Sequence, residues 1–259
     1  MINSKNYQNL ARALKEEGID NPELEARWLV KYSKPSLLDE NLKRRLNFEP
    51  LAKILGSKGF YKHEFITTKD TLDPRADSEV LLYDAFEIFK DKNKDLKVID
   101  VCSGTGCLGL SFCFEYPNSN LTLLDISDKA ILVSKQNADN LGLQNRCDFI
   151  NMDMNYFHDF GFDLCLFNPP YLRSEEMAFL DKETKYDPSL ALDGGASGLD
   201  FYQNFNEKII KNGGYLILEI GQNQEMDVEK IMKNKGLSLV KISKDIANIN
   251  RSMVFVKNL

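Results

Sequence analysis

The residues best equipped for chemistry in this chain are Asn168-Pro169-Pro170-Tyr171. Two consecutive prolines fix φ and remove two backbone donors, which leaves the carbonyls here as outward, unpaired acceptors. An asparagine side-chain oxygen and a proline carbonyl together can grip a planar NH2 group, and Tyr171 offers an aromatic face against which a flat amide or base packs. Earlier in the chain stands Asp100-Val-Cys102-Ser103-Gly104-Thr105-Gly106. Glycines between a strand and a helix let backbone approach a ligand closely, and the helix N-terminus favours a carboxylate or phosphate. The spacing is D-x-C-x-G-x-G, not the GxGxxG of dinucleotide-binding loops. An acid before the loop suits a cationic or hydroxyl-rich ligand better than a pyrophosphate. Asp125, 25 residues beyond Asp100, is placed to take two ribose hydroxyls. Each segment alone also reads as ordinary structure, a capped tight turn or a strand-ending turn. Their joint occurrence in one predicted sheet is far more specific for a site.

The elements that must hold these residues follow from periodicity. Apolar runs at 97–101, 121–125, 148–151, 162–167 and 215–219 read as short strands, with helical patterns at 105–115, 127–141 and 199–211 between them. That alternation predicts βαβ units and a parallel sheet covered on both faces. Two last strands, near 237–242 and 252–256, have only a loop between them and suit an antiparallel pair at a sheet edge. The N-terminal part differs. Tyr7, Leu10, Ala11 and Leu14 recur at helical spacing, Gly18 is a stop, and Asn21-Pro22 reads as a cap and first-turn proline before Leu24, Ala26, Trp28 and Leu29. Residues 39–46 and 50–55 suggest two more short helices, too few apolar residues in all for a sizeable core. From Gly59 to Leu72 the period shifts towards two, as in a β-hairpin.

Composition excludes several classes. At 259 residues, with 43% hydrophobic and 28% charged, the chain is an ordinary globular protein of one or two domains. No run approaches about eighteen apolar residues, which argues against a membrane helix, and residues 1–17 lack the order of a signal peptide. The net charge of −6 is a sum of unlike parts: residues 1–60 hold eleven Lys/Arg and eight Asp/Glu (+3), and residues 61–259 hold twenty-two and thirty-one (−9). A polybasic nucleic-acid coat is excluded. Five cysteines without a CxxC pair and only two histidines, His63 and His158, speak against a metal site and predict free thiols in a reducing, cytoplasmic compartment. They also make a hydrolytic triad improbable.

The two motifs at this separation resemble Rossmann-like S-adenosylmethionine-dependent amino-methyltransferases. More narrowly, the chain resembles the release factor glutamine methyltransferases, the HemK/PrmC family. The narrowing rests on Pro50-Leu-Ala-Lys-Ile-Leu-Gly56, Phe60-Tyr61, the PRPDTE-like Leu72-Asp-Pro-Arg-Ala-Asp-Ser-Glu79, Leu190-Ala-Leu-Asp-Gly-Gly195, Gly198-Leu-Asp-Phe-Tyr202 and Leu218-Glu-Ile-Gly221. Departures are Ala76 and Ser78 in the PRPDTE-like stretch, Cys102 where many members carry glycine, and Asp245–Arg251, which lacks the usual glycine and second aspartate.

The resemblance implies a seven-stranded, mostly parallel sheet with a small helical N-terminal domain: residues 1–58 for substrate recognition, a hairpin linker at 59–74, and a methyltransferase domain at 75–259. It implies that Cys102, Ser103, Gly104, Thr105 and Gly106 line the methionine part of S-adenosylmethionine, that Asp125 binds its ribose, and that Met154 flanks its adenine. Asn168 would touch both cofactor and substrate, and Asn168, Pro169, Pro170 and Tyr171 would hold the glutamine of a release factor, with S-adenosylhomocysteine as product. A monomer is expected, with no metal, no membrane and no direct nucleic-acid partner. The site chemistry alone does not separate a glutamine amide from the exocyclic amine of adenine or guanine, nor a release factor from a ribosomal protein. A non-catalytic cofactor-binding protein is a further reading, which the intact Asn168–Tyr171 motif disfavours. Arg75 with Asp77 or Glu79 reads as a salt-bridged helix start after Pro74, and the glycines at 194, 195 and 198 as a lid near the substrate.

Overall fold

Leu10, Ala11 and Leu14 fall on one side of α1 (Ser4–Glu16), and all three are buried. The computed structural model, which describes residues 4–259, continues with α2 (Pro22–Tyr32), α3 (Leu38–Leu46) and α4 (Leu51–Leu55). Pro22 opens α2 as expected, but Asn21 caps differently. Its φ is 51° and its side chain makes no cap bond; its carbonyl instead accepts from the amides of Leu24 and Glu25 at 3.0 and 3.1 Å. Leu10, Leu14, Ile19, Ala26, Leu29 and Ile54 pack into a cluster of their own, more of a core than the apolar count of this segment suggests. Residues 1–3, where the reading against a leader begins, lie outside the described residues.

The hairpin β1 (Ser57–Phe60) and β2 (His63–Ile66) begins at Ser57 and not Gly59, with Phe60 opposite His63 and Tyr61 turning the chain at a φ of 54°. After α5 (Glu79–Ile88) come β3 (Lys97–Val101), α6 (Cys107–Glu115), β4 (Asn120–Asp125), α7 (Asp128–Asn140), β5 (Cys147–Asn151) and β6 (Phe162–Phe167). The chain closes with α8 (Asp200–Asn204), β7 (Ile210–Glu219), α9 (Glu225–Asn234), β8 (Leu237–Lys244) and β9 (Asn250–Lys257).

One sheet of seven strands results, in the order β5-β4-β3-β6-β7-β9-β8, with β9 antiparallel to both of its neighbours and the rest parallel. Its strands are apolar on both sides because both faces are covered. Val98, Leu121, Leu123 and Leu164 pack with Leu81, Leu110 and Phe112 on one face; Ile99, Leu124, Cys165 and Phe167 pack with Tyr202, Val228 and Met232 on the other. From β3 the chain steps outward to β4 and β5, then returns to β6 on the opposite side. The loops after β3 and β6 therefore diverge, and a crevice opens at the carboxyl ends of these strands, where open α/β sheets bind ligands.

One expected element shrinks. The helix anticipated over 199–211 is α8, of five residues, followed by a 3-10 turn at Glu207–Ile209. Asn206 caps that turn by accepting from the Lys208 amide, and the Lys257 ammonium donates to the carbonyls of Glu207 and Ile210. These contacts hold the backbone extended, so β7 starts at Ile210 and runs ten residues.

Candidate active site

The sharp exit from β3 builds the first wall. Cys102, although not glycine, sits at a φ of 59°, a strained conformation of the kind retained at functional sites. The turn is held by Ser103 donating to the Leu124 carbonyl at 3.1 Å and Gly106 to the Ser103 carbonyl at 2.7 Å. Gly106 has a φ of 77°, and a Cβ there would lie 2.8 Å from the Leu123 side chain, so only glycine lets α6 start this close to β4. Asp125, ending β4, clamps the turn from the other side: one carboxylate oxygen accepts from the Gly104 amide at 2.8 Å and the other from Ser127 at 2.9 Å. Each oxygen keeps a lone pair for a hydroxyl. Burial raises the Asp125 pKa above the usual carboxylate range.

Asp100 lies beneath the same turn, accepting from the Gly109 amide at 2.9 Å. Burial, opposed by that bond and reinforced by Asp125, pushes its pKa up to about 8. The Asn137 side chain ties the hairpin to this loop: it donates to the carbonyls of Thr105 and Ile66 and accepts from the Ile66 amide at 2.7 Å.

These residues line a cavity of about 440 Å³, within the range of small-molecule sites. Cys102, Ser103, Gly104, Thr105, Asp125, Met154, Asn168 and Pro170 are in its wall. Gly106 is not among them: it shapes the loop and does not line the cavity. A second cavity of about 240 Å³ adjoins the first and is lined by Pro169, Tyr171, Asp77, Glu219 and Arg251, with Asn168, Arg75, Leu72 and Ala191 common to both. The residues expected for cofactor and for acceptor are thus brought together, and Asn168 stands between them.

Several residues at this junction carried no predicted role. Asn168 donates through Nδ2 to the Ser78 hydroxyl at 3.3 Å, and Ser78 donates to Glu219. Glu219 also accepts from the Tyr171 hydroxyl at 3.1 Å, and burial raises its pKa. Burial likewise pushes the Tyr171 phenol upward. Gln224 donates to the Tyr171 carbonyl at 3.0 Å and accepts from the Gly221 amide. Ser78 and Glu219 both stand in motifs that carry the family resemblance, and Glu219 also ends a buried apolar strand, but no role followed from either signal.

Two expectations change in detail. Arg75 pairs with Asp187, 112 residues away, and not with Asp77 or Glu79; Asp187 also takes the buried Lys53 ammonium at 2.8 Å. The glycine-rich loop is not a free flap. The Leu172 amide donates to the Leu192 carbonyl and the Gly194 amide to the Leu172 carbonyl, and a Cβ on Gly198 would meet the Tyr171 carbonyl at 2.5 Å. The atypical Asp245–Arg251 loop closes tightly without glycine: Asn248 takes a φ of 64°, and Asp245 accepts from the amides of Ala247 and Ile249 and from the Arg251 guanidinium. Arg251 then reaches the Tyr171 hydroxyl at 3.5 Å.

The walls fit an S-adenosylmethionine-like ligand on their own chemistry. Ser103 carries a buried hydroxyl with no partner, Asp125 has free lone pairs for a diol, and the half-buried Met154 supplies an apolar surface for a flat ring. Among the described residues no cluster of three or more His, Cys, Asp or Glu is placed to hold a metal ion.

Comparison with known proteins gives the same picture. A family profile described as "Methyltransferase small domain" matches residues 66–182. Among solved structures, the catalytic domain of hMettl16 in complex with a MAT2A 3′UTR hairpin shares the fold at a TM-score of 0.63 and 10% identity, over 81% of this chain and 83% of that one. The magnesium protoporphyrin IX methyltransferase of Synechocystis PCC 6803, solved with bound SAM, aligns at 0.50 and 16%, over 70% of this chain and 79% of that one. The bifunctional methyltransferase of Rickettsia bellii is 33% identical over 93% of this chain, which spans about half (52%) of that longer protein. The release factor glutamine methyltransferase of Thermodesulfovibrio yellowstonii is 33% identical over 84% of this chain and 80% of its own length. That of Caulobacter vibrioides is 30% identical over 95% of this chain and 93% of its own length. A likeness that runs nearly end to end through both chains, helical segment included, places this chain in the release factor glutamine methyltransferase family.

Proposed function

We propose that this chain transfers the methyl group of S-adenosylmethionine to the side-chain amide nitrogen of a glutamine in a peptide chain release factor, with S-adenosylhomocysteine as product. The observation that carries the reading is Asn168, in the wall common to both cavities, with its NH2 group engaged by Ser78 and its oxygen left for a ligand. When bound, S-adenosylmethionine supplies an electrophilic methyl on a sulfonium centre. Cys102, Ser103, Gly104 and Thr105 would hold its methionine part, Asp125 its ribose and Met154 its adenine.

An amide nitrogen is a poor nucleophile because its lone pair is conjugated with the carbonyl. Asn168 Oδ1 and the Pro169 carbonyl accept the two hydrogens of the acceptor NH2, turn its nitrogen towards the donor cavity and stabilise the positive charge that gathers there. Pro170 and Tyr171 hold the amide plane. Fixing the partners in line lowers the barrier by about several kcal/mol more. The methylated amide cation is acidic enough to release its extra proton to water, so no strong base is needed.

In this reading residues 1–58 recognise the protein substrate, residues 59–74 link, and residues 75–259 carry out the transfer. The +3 charge of residues 1–60, and the exposed Leu24, Trp28 and Tyr32 along one edge of α2, support a recognition role. The −9 charge of residues 61–259 favours a protein amide over a nucleic-acid base. The protein acts as a monomer in the cytoplasm. Among the described residues no helix is long and apolar enough to cross a membrane.

The test is incubation with radiolabelled methyl donor and, separately, a release factor, a glutamine-containing ribosomal protein, duplex DNA and ribosomal RNA. Label on the release factor glutamine is expected; label on nucleic acid alone would overturn the reading.

A further inference from the structure

Asn168 is useful only in one orientation. Its oxygen, and not its nitrogen, must face an acceptor NH2, since two NH2 groups cannot bond to each other. The two ends of an asparagine amide have nearly the same shape, so packing alone selects poorly between them. Something in the wall has to choose.

The bond polarity around Asn168 supplies the choice. Arg251 donates from Nη1 to the Ile220 carbonyl at 3.1 Å and to the Tyr171 hydroxyl at 3.5 Å. A guanidinium has no lone pair to offer, so the Tyr171 oxygen accepts there and its proton goes to Glu219 Oε1. Burial works against the charge on Glu219, but two hydroxyl donors and the Arg251 guanidinium favour it; the ionised carboxylate only accepts, so the Ser78 proton also goes to Glu219, at Oε2. Ser78 then has only lone pairs left, and these can take only the NH2 end of Asn168. The Asn168 oxygen is left at the junction of the two cavities. Glu219 is itself fixed, since its carbonyl accepts from the buried Tyr202 hydroxyl at 2.8 Å. Ser78 and Glu219 are only 2% and 3% exposed, so water does not compete for these bonds.

We propose that Ser78 and Glu219 are positioning residues for methyl transfer: the Glu219 carboxylate sets the direction of the protons, and the Ser78 hydroxyl relays it, so that Asn168 presents its oxygen to the acceptor amide. The proposal rests on the function proposed above and extends it to residues that do not meet the reacting atoms. It also gives Ser78, at the start of α5, and Glu219, at the end of β7, a shared task.

Replacement of Ser78 by Thr and by Val tests it, because the two side chains have nearly the same shape and differ in the hydroxyl. Ser78→Thr is expected to keep kcat within about 3-fold of the native enzyme, and Ser78→Val to lower kcat by about 10-fold, the scale of one hydrogen bond, with donor Kd nearly unchanged. Combining Ser78→Val with Asn168→Ala is expected to cost no more than Asn168→Ala alone, because a residue that acts through Asn168 has nothing left to orient. Equal kcat for the Thr and Val variants, or a full multiplicative loss in the double variant, would overturn the assignment. Native enzyme that labels no release factor would instead refute the proposed function before any variant is compared.

Discussion

In the function proposed above, the donor side of the main cavity is walled by Asp100, Cys102 to Thr105 and Asp125, and its shape comes from backbone amides closing on one carboxylate and from a glycine behind the wall that admits no Cβ. The acceptor side draws Ser78, Asn168, Tyr171, Glu219 and Arg251 from the start of α5, the exits of β6 and β7, and β9, and its shape comes from side chains that fix one another's protons. The donor side is thus built from one strand–turn–helix unit and the end of the next strand in the chain, β4. The acceptor side exists only when distant strands are in register. The first is expected to tolerate change in side chains whose backbone does the binding, and the second to respond to each hydroxyl and carboxylate.

Substitutions can break or sharpen that contrast. The largest expected effect is Asn168→Ala, which removes an acceptor of the transition state: methyl transfer should fall by about 100-fold or more while donor Kd weakens only modestly. Single-turnover transfer and donor titration check it, and equal losses in both would erase the division between the two sides. Arg45→Ala should come next. Arg45 is 2% exposed and pairs with Glu25 at 2.5 Å and with Glu183, on the loop beyond Tyr171, at 2.6 Å. Because Glu183 is half-exposed, the cost should fall below that of a fully buried pair, at about 2 kcal/mol of stability in urea unfolding, with a higher KM for the protein substrate and an unaltered donor Kd. Such a point variant separates recognition from folding better than deletion of residues 1–58, which also removes Lys53 from its bonds to Asp73 and Asp187. Gly106→Ala should act on the donor side alone, raising donor Kd by about 10-fold through strain of roughly 1–3 kcal/mol at a φ of 77°. Transfer at saturating donor should stay near native.

The last effect expected is a slope with pH, not a loss at one pH. Burial holds the folded Asp100 carboxyl at about 8 against an ordinary value of 3.8. Between these values the folded state binds the extra proton, so stability declines as pH rises through the window and levels off above about 8. Asp100→Asn should flatten that decline. Urea midpoints at the two ends of the window measure it, and an unchanged slope would mean that another group carries the proton.

Much of this molecule was readable without coordinates. Five apolar runs alternating with helices dictated a covered parallel sheet, because short continuous apolar runs must be buried on both faces and have few other solutions. Asp100, Gly104, Gly106 and Asp125 were recognisable since strand, turn and helix follow within a few residues. The helix expected over 199–211 failed because its apolar spacing serves two structures in succession: Lys257, nearly fifty residues away, pins the second one extended. Arg75 was paired wrongly for a similar reason, its true partner Asp187 being distant in sequence.

The sequence by itself therefore determined the class of sheet and marked the loop and the Asn168–Tyr171 motif on which the proposed function rests, all of which depend on residues close together along the chain. Only the tertiary structure decided which way the Asn168 amide faces and which residues hold it there. That choice depends on proton directions set by Glu219, Ser78 and Arg251, and hydrogen-bond polarity passes between groups that touch in space, however far apart they stand in the chain.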